Sequence, residues 1–309
     1  MISPRAHFSI PLPDGRTLEL GRRTLVMAIV NVTPDSFADG GERFDPDVAA
    51  EDAVRMVREG ADLLDIGGES TRPGAAVLPA HEELSRIAPV LERLRGRVDA
   101  PISVDTYKAE VADRALGLGA HIVNDISGLA YDPALAQVVA RRGAAIVLMH
   151  NRGRSADMYQ YAEYRDVAAE VTGELEQAVR RAEAAGISRS RIIVDPGLGF
   201  AKRAEHTLEM CARLDELAAL GLPVLAGPSR KSFLKTALGD VPPVHRVWGT
   251  AAAAAAAVLA GAHILRVHDV PEMVQVVRVA DSIRGSGLNL GTREPRSLGT
   301  PEPRNPGTF

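Results

Sequence analysis

LVMAIVNVTPDSFADGG (25–41) is the stretch on which the fold turns. Its first six residues form an unbroken apolar run of strand length, as expected of a strand covered on both faces in a parallel sheet. The residues just after the run separate two architectures. A doubly wound sheet places a glycine-rich dinucleotide turn after its first strand, whereas this run ends in Asn31 and enters VTPDSFADGG. The reading therefore favours a closed barrel, and the rest of the chain repeats the unit.

Seven further strand candidates occur: LLDIG (63–67), PISVD (101–105), HIVND (121–125), AAIVLMH (144–150), IIVDP (192–196), PVLAG (223–227) and HILRVH (263–268). Runs of helical period lie near 46–59, 79–95, 107–118, 132–142, 162–185, 203–220, 245–261 and 271–284, with an extra turn at 231–238. Several close on a helix-ending glycine, as in EGAD (59–62), GLGAH (117–121), AAGIS (184–188) and LAGAH (259–263), before re-entering a strand. Eight βα units predict an α/β fold, a (β/α)₈ TIM barrel over 25–285. Residues 1–24, with Pro11, Pro13 and DGR (14–16), predict a short N-terminal arm or hairpin across the barrel's bottom. The tail 286–309, rich in Gly, Pro, Ser and Arg, predicts disorder.

Composition narrows the function. With 46% hydrophobic and 25% charged residues the chain is that of an ordinary globular protein. A net charge of −4 gives no general attraction to nucleic acid or to an anionic membrane, so any anion site is local. The lone Cys211 excludes an intramolecular disulfide and a cysteine metal cage, and reads as a packed thiol in the helical run 204–220. AAAAAAAVLAGA (251–262) is too short to span a bilayer and reads as a closely packed barrel helix. With no secretory leader in the sequence, the expected compartment is the cytoplasm.

In such a barrel the chemistry sits where the strands end. The apolar runs end in or lead to Asn31; Glu69, Ser70, Thr71 and Arg72; Asp105; Asn124 and Asp125; Met149 and His150; Asp195; Ser229, Arg230 and Lys231; and Arg266 and His268. Helix capping accounts for isolated Asp, Asn, Ser or Thr. It does not account for Arg72, Lys231 and Arg266, because cations are unfavourable at helix N-termini unless an anion lies between. Arg266 and His268, two apart in a strand, share one face, and an Arg–His pair suits a diphosphate. Asp105, Asn124 and Asp195, with Ile126, Met149 and Phe200 as walls, suit a flat aminopyrimidinone ring. A metal carboxylate pair and an acid/base pair are the alternatives on those residues alone.

With these residues in place, the chain resembles the dihydropteroate synthase family of pterin-binding barrels over 20–285. Seven motifs occur in order: NVTPDSFADGG (31–41), DIGGESTRPG (65–74), SVDTYK (103–108), IVNDISG (122–128), DPGLGF (195–200), SRKSFL (229–234) and RVHDV (266–270). The resemblance implies that Asp105, Asn124, Asp195 and Lys231 hold the pterin, with Met149 and Arg266 against its ring. It implies that Asn31, Arg72, Arg266 and His268 bind the diphosphate, and that Asn31 also contacts Mg²⁺. Thr71, Arg72, Pro73, Phe200 and Ser229 would border a 4-aminobenzoate pocket closed by loops 32–44 and 68–78. A homodimer through barrel helices away from the mouth, and the family's role as sulfonamide target, come with the same likeness. Ala38, Ala201, Pro228 and Lys235 depart from the usual pattern; none removes an implied ligand contact.

The implied reaction needs no covalent nucleophile, which agrees with the absence of a Ser/His/Asp or Cys/His arrangement in the sequence. Arg72, Lys231, Arg266 and His268 are the expected catalytic set, and Arg266→Ala is expected to nearly abolish synthesis while sparing the fold. A pterin-dependent methyltransferase would not need cations converging on a diphosphate. A non-catalytic pterin-binding paralogue would have no use for the two loops. A Schiff base on Lys231 would need a desolvated lysine within a strand, and Lys231 follows Ser229 and Arg230 in a turn.

Overall fold

The computed structural model of the chain describes residues 5–33, 45–71 and 74–285. The expectations for Arg72, Pro73, most of the loop 32–44 and the tail 286–309 lie outside the described residues.

The N-terminal hairpin pairs β1 (Phe8–Pro11) antiparallel with β2 (Thr17–Leu20) across a turn at DGR. The barrel strands are β3 (Leu25–Asn31), β4 (Leu63–Gly67), β5 (Ile102–Asp105), β6 (Ile122–Asp125), β7 (Ala145–Met149), β8 (Ile192–Asp195), β9 (Leu225–Ala226) and β10 (Ile264–Val267). They form one parallel sheet in the order β8-β7-β6-β5-β4-β3-β10-β9. A parallel bridge between Val194 and Val224 joins its two ends, so the expected barrel closes. The helices α1 (Pro46–Arg58), α2 (Ala80–Leu94), α3 (Ala109–Gly117), α4 (Leu135–Arg142), α5 (Val167–Ala184), α6 (Ala204–Ala212), α7 (Lys235–Leu238), α8 (Val247–Leu259) and α9 (Val270–Gly285) follow the strands in turn, with α7 and α8 both between β9 and β10. Gly60, Gly119, Gly186 and Gly261, just past four of these helices, have φ between 92° and 112°.

Three elements differ from expectation for local reasons. PVLAG contributes only Leu225 and Ala226 as strand, since Pro223 and Pro228 lack the N–H a ladder needs. The run 203–220 is not one helix: α6 stops at Ala212 and a 3₁₀ segment, Leu214–Leu220, comes next. That segment buries Leu214, Leu217 and Leu220, a spacing of three that matches three residues per turn. The run 162–185 becomes helical only at Val167, where the Asp166 carboxylate accepts the Ala169 N–H at 3.0 Å.

Alternation along the strands divides the interior in two. One set of side chains packs outward beneath the helices. The other fills the lower barrel, where Leu25, Met27, Leu63, Ile122, Val147, Ile193 and Ile264 meet Ile10, Leu12, Leu18 and Leu20 of the hairpin. The hairpin is thus a plug that finishes the core from below. Ala254, Ala257 and Val258 of the alanine run are buried in α8, and among the described residues no helix is long and apolar enough to cross a membrane. Cys211 packs against the core, and burial raises its thiol to about 11.

Because Leu20 is 1% exposed within this lower cluster, Leu20→Ala should lower the unfolding free energy by about 2–5 kcal/mol. Urea unfolding with an unchanged m-value checks this; a loss below about 0.5 kcal/mol would mean that the hairpin is not part of the barrel core.

Candidate active site

Climbing the barrel axis, the inward positions change from apolar to charged. In β4, Leu63 belongs to the lower apolar layer, and two residues on Asp65 is fully buried. The same step leads from Ile122 to Asn124 in β6, from Ile193 to Asp195 in β8, and from Ile264 to Arg266 in β10. Asp105 ends β5 opposite Gly67, whose missing side chain leaves room: a Cβ there would meet the Asp105 Cβ at 3.3 Å.

Arg266 ties this layer together. Its Nε donates to Asp65 Oδ2 at 2.5 Å and its Nη2 to Asp105 Oδ2 at 2.6 Å. Asn124 Nδ2 donates to the same Asp65 oxygen at 2.9 Å. Burial pulls the guanidinium down, but Asp65 and Asp105 outweigh it and raise it above its usual value. Burial pushes Asp105 up to about 7 even beside Arg266, and Asp195 up to about 6. Both carboxylates are therefore poised near neutrality.

Asp195 feels the positive charges of Lys231 and Arg266, and Asp105 feels the same two, so these four groups lie close together at the barrel mouth. Lys231 Nζ lies 3.8 Å from the centroid of the Phe200 ring, and burial followed by Arg266 lowers it to about 8. The lysine is thus more desolvated than its place in a turn suggests. Its turn is held from below: Arg246 Nη1 donates to the Arg230 and Lys231 carbonyls at 2.9 and 3.2 Å, and Arg230 pairs with Asp269. Met149, Ile126, Tyr107, Met158 and Phe200 make the apolar wall, with Tyr131 against it.

At the β10 end, Ser229 Oγ accepts the His268 N–H at 3.2 Å and lies 2.9 Å from His268 Nδ1. The serine hydroxyl can donate to Nδ1 or accept from it, so the contact fixes the ring's position at this end of the barrel. The loop after β4 is anchored at both ends. Glu69 accepts from the Tyr107 hydroxyl at 2.7 Å, from the Leu78 N–H at 3.2 Å and from the Lys108 ammonium, and Arg86 holds the Gly68 carbonyl at 2.9 Å.

Of the residues singled out in the sequence, Asp105, Asn124, Met149, Asp195, Phe200, Lys231 and Arg266 thus gather at the barrel mouth. Ser229 and His268 meet at its β10 side. Asn31 ends β3 in register with Gly67, and Thr71 lies half-buried in the loop beyond. Arg72 and Pro73 lie outside the described residues. Asp125, also at a strand end, is spent locally on Ser127 and Leu129.

Asp65 escaped the sequence reading, although an Asp between Leu63 and Gly67 on the inward face of a strand is a legible signal. Lys202 carried no signal; it is 2% exposed and reaches the loop after β8 from behind. The Arg266–Asp65 pair adds a stability cost to Arg266→Ala: alanine at 266 leaves the fully buried Asp65 without its ion pair, with Asn124 still donating to it.

Comparison with known proteins agrees with this geometry. The model of the pterin binding enzyme family matches residues 27–268. Dihydropteroate synthase of Synechocystis is 47% identical over 278 residues, covering 90% of this chain and 96% of its own. The structure of the Xanthomonas albilineans dihydropteroate synthase with 4-aminobenzoic acid is similar at a TM-score of 0.82 and 44% identity, covering 89% of this chain and 98% of that one. The same enzyme in complex with 7,8-dihydropteroate gives a TM-score of 0.80 at 40% identity over 89% and 98% of the two chains. A closed parallel barrel with paired carboxylates and cations at its mouth, together with likeness along nearly its whole described length, shows that this chain belongs to the dihydropteroate synthase family of pterin-binding enzymes.

Proposed function

We propose that the chain joins (7,8-dihydropterin-6-yl)methyl diphosphate to 4-aminobenzoate, yielding 7,8-dihydropteroate and diphosphate, with the diphosphate leaving before the amine attacks. The observation that carries the reading is the cluster at the barrel mouth in which Asp105 and Asp195 lie within the field of Lys231 and Arg266. Carboxylates accept the N–H donors of an aminopyrimidinone edge, and the cations match a polyphosphate.

In this reading Asp105, Asn124, Asp195 and Lys231 hold the ring, with Met149 and Arg266 against its faces. The methylene carbon–oxygen bond breaks with its electron pair on the diphosphate, leaving a cation delocalised over the electron-rich pterin. Arg72, Arg266 and His268 receive the growing charge on the leaving group, with the His268 ring held in place by Ser229. The two carboxylates stabilise the cation from the ring side. The amine nitrogen of 4-aminobenzoate, bordered by Thr71, Arg72, Pro73, Phe200 and Ser229, then forms the carbon–nitrogen bond and releases a proton. Loops 32–44 and 68–78 would exclude the water that otherwise captures the cation.

Mg²⁺ fits this scheme as a companion of the substrate. Among the described residues no group of three or more His, Cys, Asp and Glu could hold a metal, and the Asn31 side-chain oxygen at the end of β3 is a hard donor of the kind Mg²⁺ takes beside phosphate oxygens. When bound, Mg²⁺ would neutralise charge on the diphosphate. A cytoplasmic homodimer belongs to the same proposal; exposed Trp248 on α8 and Val279 on α9 offer apolar surface outside the barrel.

The direct test is incubation with the pterin diphosphate, 4-aminobenzoate and Mg²⁺, monitoring dihydropteroate. Formation of product supports the reading, and none overturns it. Because Asp195 and Asp105 bind a proton below about 6 and about 7, kcat/KM for the pterin substrate should fall as pH drops through that range. It should fall again above about 8, where Lys231 loses its charge. A flat profile from about pH 5.5 to 9 would contradict these assignments. Arg266→Ala should lose on the order of 10²- to 10³-fold in kcat. By urea unfolding the same variant should also lose about 3–5 kcal/mol of stability, because Asp65 stays buried.

A further inference from the structure

Behind this site lies a second polar cluster that the reaction scheme does not use. Lys202 Nζ donates to His150 Nδ1 at 2.8 Å, to the Phe200 carbonyl at 3.1 Å and to the Gly197 carbonyl at 3.2 Å, three acceptors for its three protons. An ammonium only donates, so His150 Nδ1 accepts, and its Nε2–H donates to Glu174 of α5 at 3.0 Å. Glu174 in turn takes Arg152. Two further carbonyls of the loop are held by tyrosines, Gly199 by the Tyr159 hydroxyl at 3.2 Å and Ala201 by the Tyr164 hydroxyl at 2.9 Å.

The other side of this loop is the active site. The Gly197 N–H donates to Asp195 Oδ1 at 2.7 Å, the His150 N–H donates to the Asp195 carbonyl at 2.9 Å, and Phe200 lies under Lys231. The loop is not at rest in this shape. Ala201, a residue with a Cβ, sits at φ 46°, and Gly197 passes so close to the β7 end that a Cβ would meet the His150 carbonyl oxygen at 2.0 Å. A left-handed alanine costs on the order of 1 kcal/mol, so something outside the loop must hold it.

We propose that Lys202 is a positioning residue for the reaction: its ammonium clamps the loop 196–201 to His150, and so sets the Asp195 carboxylate and the Phe200 ring for substrate. The clamp deepens the proposed synthase function and rests on it for its consequence. Burial pulls His150 down to about 4, which keeps it neutral and able to accept, and lowers Lys202 to about 7. Lys202 touches no reacting atom; it acts through the loop.

The test compares wild type, Lys202→Met and Leu94→Ala, the last a core truncation in α2 on the outer side of the barrel. Affinity for the fluorescent probe pterin-6-carboxylate should weaken at least about tenfold in K202M, and kcat should fall on the order of 10²-fold, as for a misplaced contact group. L94A, at a comparable loss of Tm, should keep both. Hydrogen exchange of the Gly197 and Phe200 amides should speed up at least about tenfold in K202M only. K202M with unchanged exchange, or with wild-type affinity and kcat, overturns the clamp. If K202M does not fold, Glu174→Ala, which removes the acceptor of the His150 Nε2–H at a partly exposed position, should speed the same exchange and weaken the probe severalfold; wild-type behaviour there overturns it equally. Inactive wild type would count against the proposed reaction, while the exchange data would still decide the clamp.

Discussion

A guanidinium held between two carboxylates inside a barrel is the constraint on which the rest depends. Asp65 is fully buried and Asp105 nearly so, and neither tolerates that position without Arg266. The pair comes from strands that are not neighbours: β3 lies between β4 and β10. A shift of one residue in either strand would turn these side chains out toward the helices and leave charges in an apolar layer. The interaction therefore fixes strand register and site geometry together.

From that bond the site spreads by unequal solvation. The carboxylates are pushed up and the lysine down by the same burial, so groups that would be plainly charged in water sit close to their transition points. A substrate that brings a positive edge to Asp105 and Asp195 and a polyphosphate to the cations satisfies all of them at once. Around this centre the supports are peripheral and specific. Arg246 holds the Lys231 turn, Glu69 and Arg86 hold the loop after β4, and Lys202 holds the loop after β8.

Much of this is legible in the sequence. Strands of a barrel are buried on both faces, so each announces itself as an apolar run, and the polar residue that ends the run marks the mouth. Asp105, Asn124, Asp195, Lys231 and Arg266 were found that way. What the sequence hid has physical reasons. β9 shrank to two residues because prolines flank it. The helix after β8 broke where burial every third residue favoured a tighter winding. Arg266 was legible as an anion binder, but not as the partner of Asp65, because that contact joins strands 201 residues apart. Lys202 lies in a stretch with no periodicity, and its role depends on His150 and on carbonyls whose direction only the folded loop defines.

The central claim is that burial, opposed by Arg266 and Lys231, brings two aspartates to the edge of neutrality at the barrel mouth. Carboxyl ¹³C NMR titration of the unliganded protein, with Asp105 and Asp195 assigned through their Asn variants, measures this directly. The account predicts transitions near 7 for Asp105 and near 6 for Asp195. Both residues titrating near the ordinary value of about 4 would mean that burial does not outweigh the cations beside them, and the claim would fail.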